Sequence, residues 1–183
     1  MVNNRDYKQF IKGGIYHIYN RGNDKINIFN DHEDYHFFML RLNQNLGKAP
    51  VRASRSGGYT IKVLPSEAFK LISFCLMPNH FHLLLEQKSD IPISRLLSKI
   101  CTSYSKYFNK KHVRVGTLFQ DQFKAVRIKT DEQLLLIMEY IRDNPFKAGL
   151  VKEFESYPYA GHCSHNNHNN HNFYNTHEVV PLL

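Results

Sequence analysis

Leu76-Met77-Pro78-Asn79-His80-Phe81-His82-Leu83-Leu84-Leu85-Glu86 is the stretch from which the fold can be read. Leu71 to Leu76 and Phe81 to Gln87 are expected to be two strands joined across Met77-Pro78-Asn79, a tight turn that puts His80 at a strand entry. On an extended strand successive side chains point to opposite faces. His80 and His82 therefore share one face, while Phe81 and the leucines can hold the strand in a core. Two imidazoles side by side on a rigid strand form half of a divalent-metal site. They are also compatible with two half-buried polar histidines, and the pair alone leaves both readings open.

Outward from this hairpin, Ile15 to Asn20 is rich in strand formers and is bracketed by Gly13-Gly14 and Gly22. Phe37, Phe38, Leu40, Leu42 and Leu46 predict a helix from about Asp31 to Gly47. Lys48 to Gly58 reads as a basic loop, Tyr59 to Leu64 as an extra strand before Pro65, and Ser66 to Phe69 as a short link. Ile93 to Asn109 predicts a second long helix, and Leu118 to Ile128 is expected to be largely extended. Asp131 to Asp143 predicts a third helix with Asp131 as N-cap, and Pro145 is expected to end it near Asn144. The order strand, helix, strand, strand, helix, strand, helix predicts an α+β fold. Its natural form is a ferredoxin-like βαββαβ core, an antiparallel sheet with helices packed on one face, plus an extra C-terminal helix.

A chain of 183 residues with 42% hydrophobic content is most simply one domain with a single core. Lys and Arg exceed Asp and Glu by 24 to 16, and the resulting charge of +8 favours polyanionic partners, chiefly nucleic acid. Cys75, Cys101 and Cys163 are odd in number, widely spaced and without a CxxC, which fits a reducing compartment and argues against a disulfide frame. No secretory leader is visible at Met1 to Tyr7 and no run reaches membrane-spanning length, so the expectation is a cytoplasmic, nucleoid-associated protein with no membrane partner. From Gly161 the composition turns polar and histidine- and asparagine-rich. Residues 1–160 are read as the domain and 161–183 as a flexible tail without a catalytic role.

Tyr140 and Asn144 are four residues apart on the third helix and so lie on one side of it. A phenol and an amide oxygen presented together suit a nucleophile and a third metal ligand. A tyrosine packed at the core edge beside a helix-end asparagine gives the same pattern.

The ordered set of segments resembles the single-tyrosine HUH transposases, most closely the REP-associated tyrosine transposases, over about residues 11 to 160. Its segments are Gly13 to Asn23 (GGIYHIYNRGN), Leu76 to His82 (LMPNHFH), Ser103 to Lys111 (SYSKYFNKK), Gly116 to Gln120 (GTLFQ), Phe123 to Ala125 (FKA) and Tyr140 to Val151 (YIRDNPFKAGLV). The resemblance implies the ferredoxin-like fold, His80, His82 and Asn144 as ligands of Mg²⁺ or Mn²⁺, and Tyr140 as the nucleophile. It further implies cleavage and rejoining of single-stranded DNA through a 5′-phosphotyrosine, beside a hairpin, and leaves a homodimer open. Two departures stand out. Gln122 occupies a position where the family usually carries arginine, and the connection from Lys48 to Phe69 is long.

For DNA contact the candidates are Lys106, Tyr107, Lys110, Lys111 and Arg114, then Lys124, Arg127 and Lys147, because aromatics interleaved with cations suit single strands. Tyr104 and Tyr107 are rival nucleophiles, less complete than Tyr140 with its amide partner. Two readings of other classes compete. One is a non-catalytic nucleic-acid-binding module of the same fold. The other is a small-molecule phosphoesterase or cupin-like enzyme, and the helical segments exclude the all-β cupin form.

Overall fold

A hairpin organises the sheet: β2 (Phe69–Met77) turns at Pro78 and Asn79 into β3 (His80–Gln87), with Met77 opposite His80 and Leu76 opposite Phe81. The computed structural model describes residues 9–50, 62–153 and 156–162. β1 (Ile15–Arg21) lies antiparallel on the other side of β3, pairing Ile15 with Glu86 and Arg21 with His80. β4 (Lys124–Ile128) flanks β1 and β5 (Ala160–His162) flanks β2, giving a five-stranded antiparallel sheet in the order β4-β1-β3-β2-β5. β1 and β2 both run antiparallel to the strand between them, so the helix linking them has to cross over the sheet. The first four strands with their two crossover helices form the expected ferredoxin-like core.

Strand alternation sorts the side chains into two layers. Tyr16, Ile18, Phe81, Leu83 and Leu85 meet α1 (His32–Asn45) and α2 (Ile93–Lys111), whose Phe38, Leu42, Leu96, Ile100, Tyr104 and Phe108 complete the main core. Asp31 caps α1 by accepting from the Asp34 amide at 3.1 Å. The fully buried Asp34 carboxylate bonds the Asn30 amide (2.9 Å), Lys111 (3.2 Å) and His112 (2.9 Å), tying the start of α1 to the end of α2. A buried carboxylate without such partners would be costly.

The extra helix, α3 (Asp131–Lys147), takes the opposite face. Ile72, Cys75, Met77 and Leu84 form a second apolar layer with Ile141, flanked by Leu134, Ile137 and Met138. The unbroken leucine run Leu83-Leu84-Leu85 follows from this, because β3 is covered on both faces. Ile141 and Pro145 are the buried residues of α3.

Several boundaries differ from expectation. Thr130, not Asp131, caps α3, its hydroxyl accepting from the Gln133 amide at 3.2 Å. The helix runs through Pro145 to Lys147 instead of stopping at Asn144. A proline there removes one backbone bond at a cost of about 3 kcal/mol, offset by burial of its ring and by a well-formed stop beyond it. Gly149 adopts φ 70°, its amide bonds the Phe146 carbonyl at 2.9 Å, and the Leu150 amide bonds the Pro145 carbonyl at 3.0 Å. This pattern satisfies carbonyls that the last turn leaves open.

Of the stretch expected to be extended from Leu118 to Ile128, only β4 is a strand. Residues 118–120 are instead tacked to the end of β1, through Asn23 N–H to the Leu118 carbonyl and Gln120 N–H to the Arg21 carbonyl. Half of the strand expected from Tyr59 to Leu64 falls on residues outside those described, and Lys62 to Leu64 are not in a strand. β5 includes Gly161 and His162, so the sheet extends two residues past the boundary expected at Gly161. The rest of the expected tail, with Cys163, lies outside the described residues. The Tyr157 hydroxyl bonds the Leu76 carbonyl at 2.7 Å and Tyr159 stacks on Tyr35 at 3.6 Å, fastening this last segment to the hairpin.

Ile141→Ala tests how α3 is held. Truncating a fully buried isoleucine in so small a layer should cost about 2–5 kcal/mol. Hydrogen exchange should quicken across 131–147 more than across α1 and α2. Equal loss of protection in all three helices would mean that α3 is not a separately docked layer.

Candidate active site

His80 and His82 project from β3 towards α3, their rings 5.0 Å apart and perpendicular. Tyr140 meets the His82 ring edge-on at 5.4 Å and is 42% exposed, so its ring is anchored while the side chain still reaches solvent. One turn on, the Asn144 side chain lies close enough to His80 to act on its ring. Its amide nitrogen lies 3.4 Å from the Tyr140 carbonyl. His80 Nδ1 also bonds Asn79 Oδ1 at 2.6 Å, so the hairpin turn itself orients this ring. The fold thus brings His80, His82, Tyr140 and Asn144 together from two elements that are distant in sequence.

His17 was not among the residues singled out by sequence. It lies on the same face of β1 as Ile15 and Tyr19, is 6% exposed, and places Nε2 3.0 Å from His82 Nδ1. The two rings lie nearly parallel, 5.1 Å apart, and Tyr140 packs against His17 at 6.0 Å. Alternation in Ile15-Tyr16-His17-Ile18-Tyr19 assigns His17 to the face opposite Tyr16 and Ile18. Its proximity to His82 depends on the β1 and β3 register, which no local pattern encodes.

Burial pushes the His17 imidazole down to about 4. Burial, then the neighbouring His17 and His80, push His82 down to about 3. Burial also lowers His80, against the opposing influence of the nearby Asn144 side chain. The His17 and His82 rings are therefore neutral at pH 7. Among the described residues His82 Nε2 is a buried polar atom without a hydrogen-bond partner. A desolvated imidazole nitrogen whose ring partner is already bonded is what a metal ligand requires. With His80 and the Asn144 amide oxygen it could supply an N/N/O donor set of the kind a divalent cation takes. Cys75 sits opposite His82 on the same face, and burial pushes its thiol up to about 12.

A second group of ligand-type side chains, Asp31, Asp34 and His112, lies on the α1 and α2 side of the sheet. Lys111 Nζ sits among its carboxylates, 2.6 Å from Asp31, 3.0 Å from Glu33 and 3.2 Å from Asp34. An ammonium ion already supplies the positive charge there.

The histidine and tyrosine cluster opens into a cleft of about 440 Å³ lined by Tyr19, Asn20, Arg21, Lys25, Asn79, Gln120, Asp121, Gln122 and Lys124. Of the expected DNA contacts only Lys124 lines it. Arg21 and Lys25, which sequence reasoning missed, supply its other cations. Arg21 is the cross-strand neighbour of His80 and is held by Gln120. Lys25 follows Asp24 in a short turn where both have positive φ, 50° and 62°. Lys106, Tyr107 and Lys110 belong to α2, across the sheet from the cleft. Tyr107 lies flat on Phe37 at 3.9 Å, and Lys111 is committed to the three carboxylates, so neither is a free nucleic-acid contact as expected. Arg114 bonds Asn109 at 3.1 Å, Arg127 projects from the edge strand on the face opposite Lys124, and Lys147 pairs with Asp143 at 3.5 Å. Tyr104 is fully buried, donates to the Ile28 carbonyl and has its hydroxyl pushed upward by burial. It cannot reach a nucleic-acid backbone.

The depressed histidines carry a pH dependence. Unfolding returns both rings to about 6.5, so below that value the unfolded chain binds more protons. Stability is therefore greatest above about 6.5 and is lost as the pH falls towards the folded values. Between about pH 7 and pH 5 each histidine should remove about 2 kcal/mol of unfolding free energy. Urea midpoints across this range measure the loss, which should shrink in His17→Phe; an unchanged midpoint would mean that the rings are not held neutral.

Comparison with known proteins places the chain in a family and identifies a relative of the same fold. A family model described as transposase IS200 like matches residues 15–144, from the first residue of β1 to the amide beside His80. A protein of Haemophilus influenzae named as a REP-associated tyrosine transposase is 27% identical over 104 residues, covering 50% of this chain and 58% of that one. The matched stretch thus spans little more than half of that relative's length. A solved structure of a REP-associated tyrosine transposase bound to a REP hairpin has the same fold, with a TM-score of 0.60 at 18% identity, covering 83% of this chain and 78% of that chain. The family match encloses both histidines, the tyrosine and the amide that the fold assembles, and the chain belongs to the IS200-like transposase family.

Proposed function

We propose that this protein cleaves and rejoins single-stranded DNA beside a hairpin, using Tyr140 as the nucleophile. The observation that carries the reading is the position of Tyr140, edge-on to His82 at the mouth of a cation-lined cleft and still partly open to solvent. The Tyr140 oxygen attacks a backbone phosphorus and gives its phenolic proton to solvent, while the bond to the 3′ oxygen breaks and that oxygen takes up a proton from solvent. The products are a 5′-phosphotyrosine and a free 3′-hydroxyl. Attack by such a hydroxyl on the phosphotyrosine reverses the step and joins strands without an external energy source. Mg²⁺ or Mn²⁺ held by His80, His82 and Asn144 would polarise a non-bridging phosphate oxygen and stabilise charge on the leaving oxygen.

The chain's own groups prepare this geometry. Arg21, Lys25 and Lys124 neutralise phosphates on either side of the attacked one, and Arg21 lies directly across the strand pair from His80. Asn20, Asn79, Gln120 and Gln122 offer amides to base edges or sugars along the same cleft. Docking of α3 through Ile141 limits the motion of Tyr140 and keeps its ring against His82. A strand with unstacked bases suits such a cleft better than a stiff duplex. The hairpin is suggested by the REP hairpin bound to the structural relative. No helix among the described residues is long and apolar enough to cross a membrane, and we place the activity on DNA in the cytoplasm.

Tyr140→Phe removes one hydroxyl, so hairpin binding should persist while the covalent protein–DNA adduct disappears from denaturing gels. Survival of the adduct would exclude Tyr140 as the nucleophile. Arg21→Gln and Lys124→Gln should each weaken binding of a single-stranded oligonucleotide and flatten its salt dependence by about one unit of log–log slope. Lys111→Gln should leave the slope alone and lower stability instead. The opposite ranking would move the nucleic-acid path to the α2 side.

A further inference from the structure

We infer that His17 is a positioning residue: by accepting the Nδ1 proton of His82 it fixes the tautomer and ring orientation that turn the His82 Nε2 lone pair towards the cation site. The inference rests on the reading of His80 and His82 as metal ligands. A neutral imidazole carries one proton on two nitrogens, so His82 has two possible forms. With the proton on Nε2, a buried N–H would face no acceptor, and no lone pair would point into the site. With the proton on Nδ1, that N–H is donated to His17 Nε2 at 3.0 Å and Nε2 is left as a bare donor. The second form leaves no N–H of this ring unsatisfied. Only an acceptor at His17 selects it.

The geometry suits this purpose. His17 pairs in register with Leu84, which makes it the diagonal neighbour of His82 on one sheet face. Diagonal neighbours lie within reach of ring-sized side chains. His17 is buried against Tyr19, His82 and Tyr140, so its own ring has little room to turn. His80 has a different orienting group, Asn79 Oδ1 at 2.6 Å, which can only accept and so also keeps the His80 proton on Nδ1. Carboxylates and backbone carbonyls commonly orient ligating histidines. An imidazole performs that task without adding negative charge beside a phosphate.

The test follows ring nitrogen chemical shifts in metal-free, histidine-labelled protein at neutral pH, together with Mn²⁺ binding by electron paramagnetic resonance without DNA. Wild-type protein should show His82 protonated on Nδ1 and bare at Nε2. His17→Phe keeps a ring but removes the acceptor; it should shift His82 towards the Nε2–H form and weaken Mn²⁺ binding about 10–100-fold. His17→Gln keeps an acceptor and should retain the wild-type tautomer and most of the affinity. A purely packing role would show no such rescue. An Nε2–H tautomer in wild-type protein, or a Phe variant unchanged in tautomer and affinity, would overturn the inference. The wild-type measurement decides the tautomer even if the Phe variant fails to fold. An Nδ1–H tautomer in wild-type protein that binds no Mn²⁺ would overturn the metal-site reading itself, and with it the purpose assigned to His17.

Discussion

β3 is buried on both faces, and the rest of the molecule is arranged around that constraint. Its odd-numbered residues, Phe81, Leu83 and Leu85, enter the core beneath α1 and α2. Its even-numbered residues, His80, His82 and Leu84, face the α3 side. A strand with neighbours on both edges and layers above and below has no register freedom, because a slip by one residue would exchange imidazoles for leucines. The rigidity of the His80 and His82 pair therefore comes from the same packing that makes the fold.

Placing polar rings in this position has an electrostatic consequence. His17 and His82 are neutral because their desolvation is not compensated by any carboxylate partner among their described contacts. Neutral imidazoles retain lone pairs, and the positive charge of the site is supplied instead by Arg21, Lys25 and Lys124 at the cleft wall. The protein's excess of eight positive charges is not spread evenly over its tasks. Lys111 spends its charge on three carboxylates at the end of α2, where it and His112 make burial of Asp34 tolerable. Counting lysines near an aromatic motif cannot distinguish these two uses, since both look alike in one dimension.

α3 joins the layers. It is fastened by few buried side chains, Ile141 and Pro145, and it carries Tyr140 and Asn144 on the flank next to the histidines. Its continuation through Pro145 to the Gly149 stop keeps Asn144 helical, and that holds the amide one turn from Tyr140. A helix ended at Asn144, as proline alone would suggest, would free the amide from that spacing. The segment from Tyr157 to Ala160 adds support from behind, with Tyr157 and Ala160 packed into the α3 layer and Tyr159 against α1.

The sequence by itself determined the elements and the candidate chemistry carried by local spacing. Period-two alternation around Pro78-Asn79 put His80 and His82 on one face, helical periodicity put Tyr140 beside Asn144, and the order of elements implied the ferredoxin-like core. These are short-range properties, set by backbone geometry over a few residues. What only the tertiary structure decided was which of those faces meet. The approach of His17 to His82 follows from the pairing of β1 with β3, and the cleft positions of Arg21 and Lys25 follow from the end of the same strand. The opposite face chosen by α3, the helical Pro145 and the internal use of Lys111 depend likewise on contacts between residues distant in the chain. Such contacts are selected by burial free energy summed over whole layers, which no window of neighbouring residues contains.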